Sequence, residues 1–516
     1  MTVDGTAALP VFPEADDAVA RWARLAPTRV ALIEDGAGRR TSYATLDTMA
    51  DRWAGRLLAA GIAHGDRVAL LAATCAECVA LFYGCLRLGV ALVPLNWRLS
   101  PAELARVVDD ARLAALVLDE RHAPLAARVE SVAAAFPLRV LGLRAPSDAD
   151  AEAAAWSRPR SADRSLRSGS ETPTMILYTS GSTGTPKGVV LPRRQLLFNA
   201  IATTVGWQLG SSDVAPVATP LFHTGGWHVF LTPLLHVGGT VVLFDAFDPD
   251  RFLAGLAAYG CTVAFGVPTQ FTMLLASPRW GEPLTRLRYF ISGGAPCPPS
   301  VRQAVRDAGY GMRQGYGLTE CGPNCFATSD DAADAHANAV GWPVPFLEMR
   351  LVREDGSATD VDEPGELLLR GPQMFAGYFD APERTRDALT DDGWLRTGDL
   401  ACRDAGGRYT ICGRRKEMFI SGGENVFPGE VEAALCDIAG VAEAVVVGIG
   451  DEKWGEVGHA FVVARNGTSL DEAALIAGAR ARLAGYKVPK RVTFCAELPR
   501  LGSGKVDRSA LVRLTG

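Results

Sequence analysis

The chain reads as an α/β protein. A large N-terminal domain carries two βαβ-type sheets and a small β-barrel-like subdomain, and a smaller α+β unit follows. Three observations predict this. Helical and strand-like segments alternate from about Asp17 to Val140 and again from Gln195 to Ala308, the pattern of parallel strands with crossover helices. From Met349 to Arg370 the elements shorten to strands, with turns at Asp355-Gly356 and Pro364-Gly365. At 516 residues the chain exceeds one small core, and a compact mixed piece begins at about Lys416.

Taken in order, Ala18–Leu25 has helical periodicity, Val30–Ile33 reads as a strand, and Ser42 caps a helix running through Leu58. The apolar run from Val68 to Leu95 has the length of a membrane span, but Glu77, Arg87 and Pro94 interrupt it. A strand (Val68–Ala72), a helix (Cys75–Leu88) and a second strand (Val90–Val93) account for it better. Ala145–Thr172 has no clear period and reads as a surface connection. Beyond it come helix Gln195–Thr204, strand Val241–Phe244, helix Pro249–Tyr259, strands Thr262–Val267 and Tyr289–Ser292, and helix Pro299–Ala308. The last piece holds helix Gly429–Leu435, strands Ala444–Ile449 and Ala460–Ala464, helix Leu470–Leu483 and strand Arg491–Phe494.

Hydrophobic residues make up 48% and charged residues 21%, so a globular protein is expected. A net charge of −6 excludes a general nucleic-acid binder. The eleven cysteines follow neither disulfide nor zinc spacing, and Cys75 and Cys78 read as two packed thiols. The first residues lack the basic and apolar segments of a signal peptide. The expectation is a cytoplasmic protein without a transmembrane segment, a homodimer being compatible. Between Arg480 and Arg513 nine Lys/Arg face two acids, a skew that suits closure over a polyanion.

The stretch YTSGSTGTPKGV (Tyr178–Val189) carries the chemistry most openly. Three glycines let backbone N–H groups turn towards an anion, five Ser/Thr hydroxyls add donors, and Lys187 adds a point charge. It is not a Walker loop, because Gly181 and Gly184 are followed by Thr-Pro-Lys-Gly.

Seven further strings follow in a fixed order. They are PLFHTGG (Pro220–Gly226), SGGAP (Ser292–Pro296), QGYGLTE (Gln314–Glu320), GELLLRGP (Gly365–Pro372), TGDL (Thr397–Leu400), GRRKEMFISGGENVFPGEVE (Gly413–Glu432) and PRLGSGKVDR (Pro499–Arg508). With the glycine loop they make the chain resemble an AMP-forming acyl-CoA synthetase of the adenylate-forming superfamily, over nearly its whole length. The resemblance implies an N-terminal domain over 1–415 and a mobile C-terminal domain over 416–516. It implies ATP and CoA as co-substrates, Mg2+ as cofactor and a small-molecule carboxylic acid. The acid is first turned into acyl-AMP and then into a thioester, chemistry that rests on positioning and charge neutralisation.

The same resemblance implies the site. Thr179, Ser180, Gly181, Ser182, Thr183, Gly184 and Lys187 would hold the β- and γ-phosphates. Gly294, Ala295, Pro296 and Tyr316, with Gly317, match the adenine slot. Thr319 and Glu320 match the α-phosphate and Mg2+ positions, and Asp399 and Arg414 the ribose contacts. Lys505 matches the catalytic lysine and Lys416 the pivot between domains. Ser421, Gly422, Gly423 and Glu424, with Trp454 and Lys487, would face CoA.

His223 falls between phosphate and acid, where amino-acid-activating relatives place an aspartate, so an amino acid is disfavoured. Trp227 falls at a gate position. Phe265, Val267, Gly293, Gly315, Leu318 and Cys321 would line an apolar channel. A medium- or long-chain fatty acid is therefore expected first and an aryl acid such as a benzoate or cinnamate second. Two rivals remain: an acyl-AMP ligase feeding a carrier protein, and a nucleotide-binding protein without catalysis.

Overall fold

The computed structural model describes residues 17–133, 139–143, 169–180, 186–328, 339–465, 467–468, 470–501 and 506–515. A seven-stranded sheet holds the N-terminal half together. Its parallel part runs Ala91–Pro94, Arg67–Leu71, Ala115–Leu118 and Arg139–Gly142, with Pro173–Ser180 parallel on the other flank of Ala91–Pro94. Pro186–Pro192 returns antiparallel to Pro173–Ser180, and the short strand Gly377–Tyr378 closes that edge. The glycine-loop stretch is thus a hairpin, its two strands in one register from Met175 opposite Leu191 to Ser180 opposite Pro186.

The apolar run at Val68–Leu95 is a strand–helix–strand unit, as its interrupting residues predict. The helix Ala76–Leu88 is almost wholly buried. Arg87 lies in it because three carboxylates meet its guanidinium: Asp17 at 2.7 Å, Asp47 at 2.6 Å and Asp51 at 2.5 Å. Glu77 accepts from the Trp53 indole at 2.7 Å. Among the described residues no helix is long and apolar enough to cross a membrane. Cys75 and Cys78 place their sulfurs 3.6 Å apart at the start of this helix.

A four-stranded sheet runs Arg39–Ser42, Val30–Glu34, Thr240–Leu243 and Val214–Val217. Three parallel strands, Val263–Gly266, Tyr289–Ser292 and Gly311–Gln314, form a further sheet whose edge lies beside Val214–Val217, where Thr262 N donates to Val214 O at 2.8 Å. Where the sequence suggests a barrel-like subdomain there is a six-stranded antiparallel sheet. Its strands come from Phe326–Ala327, Ala339–Pro343, Tyr409–Arg414, Leu395–Arg403, Gly365–Arg370 and Glu348–Val352. Four of those six strands lie outside the short-strand region that marks it in the sequence, because antiparallel partners can be recruited from far along the chain.

The last sheet is built from Glu424–Val426, Phe419–Ser421, Gly455–Ala464, Val441–Asp451 and Arg491–Cys495. Its own apolar cluster of Phe419, Val426, Val431, Leu435, Val446 and Val462 draws on no residue before Phe419. Part of the basic run near the end of the chain is paired. Lys487 meets Glu430, Arg500 meets Glu443, and Arg508 meets Glu417 and Glu432. These cations hold the fold together, which accounts for part of the skew that suggested a polyanion-facing surface.

Candidate active site

The strands Tyr289–Ser292 and Gly311–Gln314 run parallel with Ser292 opposite Gln314, so the loops that follow them emerge side by side. The carboxyl ends of parallel strands are the usual place for a ligand crevice. Gln314 joins the two loops. Its Nε2 donates to Ala295 O at 3.3 Å and Gly315 O at 3.1 Å, and its Oε1 accepts from Cys297 N at 3.2 Å. Gly294, with φ of +81°, Ala295 and Pro296 are left exposed. Gly317 admits no side chain, since a Cβ there would sit 2.2 Å from the Pro323 carbonyl carbon.

Tyr316 leaves this crevice towards the six-stranded sheet. Its hydroxyl donates to Asp399 Oδ2 at 2.6 Å. Asp399 is only 5% exposed. Its Oδ1 lies 3.0 Å from Arg414 Nε, directly across the Leu395–Arg403 and Tyr409–Arg414 ladder. Its own N–H donates to Thr397 Oγ1 at 3.0 Å. Burial, and then the Asp399 charge, push the Tyr316 phenol well above its ordinary value, so the phenol keeps its proton and donates. Tyr316, Asp399 and Arg414 thus form one charge-assisted chain.

On the phosphate side Thr179 stands opposite Lys187 in the hairpin. The Lys187 ammonium lies 5.1 Å from the centre of the Tyr378 ring, and the Tyr378 hydroxyl donates to Glu320 Oε1 at 2.9 Å. Burial and the Glu320 carboxylate push this phenol up as well. Glu320 sits in the single helical turn Thr319–Cys321, and its carbonyl accepts from Phe375 N at 2.7 Å. Arg194 pins the segment that delivers Tyr378, donating to Pro372 O at 2.6 Å and Met374 O at 2.8 Å. Sequence reasoning passed over Tyr378. Its one signal is the Gly-Tyr pair between two recognised strings. Gly181, Ser182, Thr183 and Gly184 lie outside the described residues, as does the side chain of Ser180.

On the acid side the structure brings Phe265, Val267, Gly293 and Gly315 together beside Gly225. A Cβ on Gly225 would lie 3.4 Å from the Phe265 ring, and one on Gly293 3.1 Å from it. A Cβ on Gly294 would lie 3.7 Å from Val267. His223 is half-buried, begins the short helix Thr224–His228 and packs its ring 4.7 Å from Phe222. Leu318 is half-buried, its N–H donating to Gly322 O at 3.1 Å.

Two residues expected here lie elsewhere. Trp227 has no exposed surface, donates its indole N–H to Leu221 O at 2.5 Å and packs 5.1 Å from Phe82. A residue at a channel mouth keeps open surface, so Trp227 is a core aromatic instead of a gate. Cys321 is likewise fully buried, and burial holds its thiol far above the ordinary range.

On the CoA side Phe419–Ser421 and Glu424–Val426 form a hairpin with Gly422 and Gly423 at its turn, φ +62° and +87°. Two left-handed residues in a two-residue loop are what such a hairpin asks for. Gly422 N donates to Trp454 O at 2.8 Å, and a Cβ there would meet the Trp454 ring at 3.0 Å. Trp454 is 40% exposed, with Lys453 4.9 Å and Lys490 6.0 Å from its ring. Gly422, Gly423, Glu424 and Trp454 therefore share one surface. Ser421 does not, being 2% exposed. Lys487 does not either, because both Glu430 oxygens accept from its ammonium, at 2.7 and 2.8 Å. Lys416 is exposed in the turn Arg415–Glu417. Lys505 lies outside the described residues, but the chain on either side of it pairs with itself: Arg500 bridges Val506, and Asp507 N donates to Pro499 O at 2.8 Å.

The chain matches the family model described as AMP-binding enzyme over residues 19–379 and that described as AMP-binding enzyme C-terminal domain over residues 430–505. It is 37% identical to a feruloyl-CoA synthase of Amycolatopsis sp over 96% of this chain and 98% of that protein. It is 35% identical to an indoleacetate–CoA ligase of Aromatoleum aromaticum over 92% of this chain and 93% of that protein. Among solved structures it is similar to ATP-bound MatB from Rhodopseudomonas palustris, with a TM-score of 0.85 and 33% identity over 96% of this chain and 98% of that one. The chain therefore belongs to the AMP-binding enzymes of the adenylate-forming superfamily. It is an acyl-CoA ligase that works through an adenylate and uses ATP and CoA.

Proposed function

We propose that the acid is an aryl or arylalkanoic acid, with a medium- or long-chain fatty acid as the second reading. One observation carries this order. The Phe265 ring packs against Gly225 and Gly293, which sets an aromatic ring among glycines on the acid side, a surface suited to a planar ring. Trp227 is buried, so a gate there no longer supports the fatty-acid reading. The relatives named for feruloyl and indoleacetate substrates support the same reading. The fatty-acid reading keeps its support from the same surface, since Gly225, Phe265, Val267, Gly293, Gly315 and Leu318 carry no charge.

In this reading a carboxylate oxygen of the acid attacks the α-phosphorus of ATP and pyrophosphate leaves. The thiol of CoA then attacks the acyl carbon, losing its proton, and AMP leaves. Thr179, Lys187 and the loop between them hold the leaving pyrophosphate. Gly294, Ala295, Pro296 and Tyr316 take adenine, Asp399 and Arg414 take the ribose, and Thr319 meets the α-phosphate. His223 separates phosphate from acid. Glu320 would hold Mg2+, which would supply positive charge beside the phosphates. Its Oε1 accepts from Tyr378, and its Oε2 has no partner among the described residues, which fits an ion that takes one or two carboxylates. Lys505 supplies charge during adenylation, and the unit after Lys416, with its own apolar cluster, pivots as a body to present Gly422–Glu424 and Trp454 to CoA.

The test is CoA-dependent AMP release with a panel of benzoates, cinnamates, arylacetates and straight-chain acids. Aryl acids are expected to give the highest kcat/KM. A maximum among straight-chain acids would reverse the order, and release only with a carrier protein in place of CoA would replace the second half-reaction.

A further inference from the structure

The helix Arg193–Gly206 carries Gln195 and Asn199 one turn apart, on one face. Gln195 is 4% exposed, Asn199 1% and the more distant Gln373 0%. Each donates to a main-chain carbonyl. Gln195 Nε2 meets Thr319 O at 3.0 Å, Gln373 Nε2 meets Cys321 O at 2.9 Å, and Asn199 Nδ2 meets His228 O at 2.9 Å. A carbonyl only accepts, so these bonds fix how all three amides face. Their three carbonyl oxygens are then left buried without a hydrogen-bond partner among the described residues. Such groups are costly, and native proteins keep few of them.

Gln195 and Asn199 line one cavity of about 10 Å³, together with Thr174, His228 and Gly322, room for about one water. Its wall is short of donors. The Thr174 hydroxyl donates to Leu191 O at 2.9 Å. The Thr232 hydroxyl donates to Trp227 O at 3.1 Å, so His228 Nδ1, 3.0 Å away, carries the proton between them and its Nε2 is an acceptor. Gly322 has φ of +81°, and a Cβ there would meet Asn199 Oδ1 at 2.6 Å, so only glycine lets that oxygen come so close. A site walled by acceptors takes a molecule with two hydrogens to give.

We propose that Gln195, Asn199 and Gln373 are positioning residues, with one buried water between Gln195 and Asn199 that donates to Gln195 Oε1 and Asn199 Oδ1. They hold the Thr319–Gly322 turn in register with the helix Thr224–His228. This rests on the reading that Thr319 and Glu320 face ATP while His223, at the head of that helix, faces the acid. The layer lies behind both and touches neither, so it sets the angle between phosphate and carboxylate, and with it the first half-reaction.

Gln195→Met and Gln373→Met keep the side-chain volume and remove the bond to the turn, exchanging an unpartnered amide oxygen for a turn carbonyl left without its amide donor. The fold therefore loses little, and Tm should stay within a few degrees. Acid-dependent ATP–pyrophosphate exchange should fall about tenfold in kcat with the KM for acid unchanged. Thioester formation from supplied acyl-AMP should stay within about twofold. Equal losses in both half-reactions, a collapse of Tm, or full exchange activity would each overturn the assignment. A crystal structure of the wild-type protein should show the water bonded to Gln195 Oε1 and Asn199 Oδ1, and an empty cavity would overturn it. That readout stands by itself: wild-type protein that released no pyrophosphate with any acid would sink the proposed function and leave the water and its amides to be judged in the crystal.

Discussion

The nucleotide side and the CoA side of this ligase are built in opposite ways. Asp399 sits 5% exposed between Tyr316, Arg414 and Thr397, each partner fixed by a strand or by the loop that follows one. Gly422, Gly423 and Glu424 sit at a solvent-facing hairpin turn with Trp454 beside them, joined by the bond from Gly422 N to Trp454 O and by the pairing of Ser421 with Gly455. The first arrangement is organised before any ligand arrives and puts its energy into geometry. The second is an open surface whose contacts are made when a ligand reaches it.

The widest break in this contrast should come from Lys505→Ala. Adenylation should fall about 10²–10³-fold, the scale of losing one preorganised charge. Thioester formation from supplied acyl-AMP should hold within a few-fold. Pyrophosphate exchange and CoA consumption read the two separately, and equal losses would refute a division of labour between the two sides.

Next in size is Asp399→Asn. Charge-assisted bonds of about 1.5–3 kcal/mol each are weakened where water does not compensate, so kcat/KM for ATP should drop about 10–100-fold while the KM for CoA barely moves. A change in both would mean that the ribose chain also supports the CoA surface.

The pH dependence of stability tests a buried histidine of the N-terminal domain. Burial holds the His228 imidazole down at about 3, against 6.5 in the unfolded chain. A depressed folded value means that the unfolded state takes up the proton first. This group's contribution is therefore fully present above about 6.5 and is lost as pH falls towards about 3, at up to ~1.4 kcal/mol per pH unit. Unfolding midpoints in denaturant between pH 7.5 and 5 should show this slope, and His228→Gln should flatten it. An unchanged slope would assign the acid sensitivity to other groups.

The smallest effects belong to the open side. Trp454→Ala should raise the KM for CoA about 3–10-fold, the worth of one aromatic contact. Lys487→Ala should leave it within about twofold, because that ammonium is already held by Glu430. A larger effect of Lys487 than of Trp454 would invert the assignment.

Much of the architecture was legible in the residues. The strand–helix–strand unit at Val68–Leu95 followed from Glu77 and Arg87, whose partners the fold supplies. The helix Ala18–Leu25 and the strand Tyr289–Ser292 fall where periodicity puts them. What stayed hidden was set by pairing over distance. Asp399 and Arg414 appear in two separate strings, and only the strand register makes them neighbours. Lys487 read as a free cation because Glu430 lies 57 residues earlier. Trp227 beside two glycines fits a channel or a core equally well until Phe82 is seen against it. Gln195 and Asn199 carried a faint signal, two amides one turn apart on a helix that also bears Leu196, Phe198 and Ala200. Tyr378 carried less, since a lone tyrosine says nothing of the carboxylate it will meet.

The chain between Arg414 and Glu417 has a mechanical consequence. Arg414 is moored to Asp399, and Arg415 leans on Glu366 and Glu354. Glu417 is moored to Arg508, which also grips Glu432 in the following helix. Lys416 is the one residue between these moorings. With the proposed pivot there, the linker acts as a crank whose throw is a single pair of backbone torsions, and the whole C-terminal unit turns on one bearing instead of trailing from a tether.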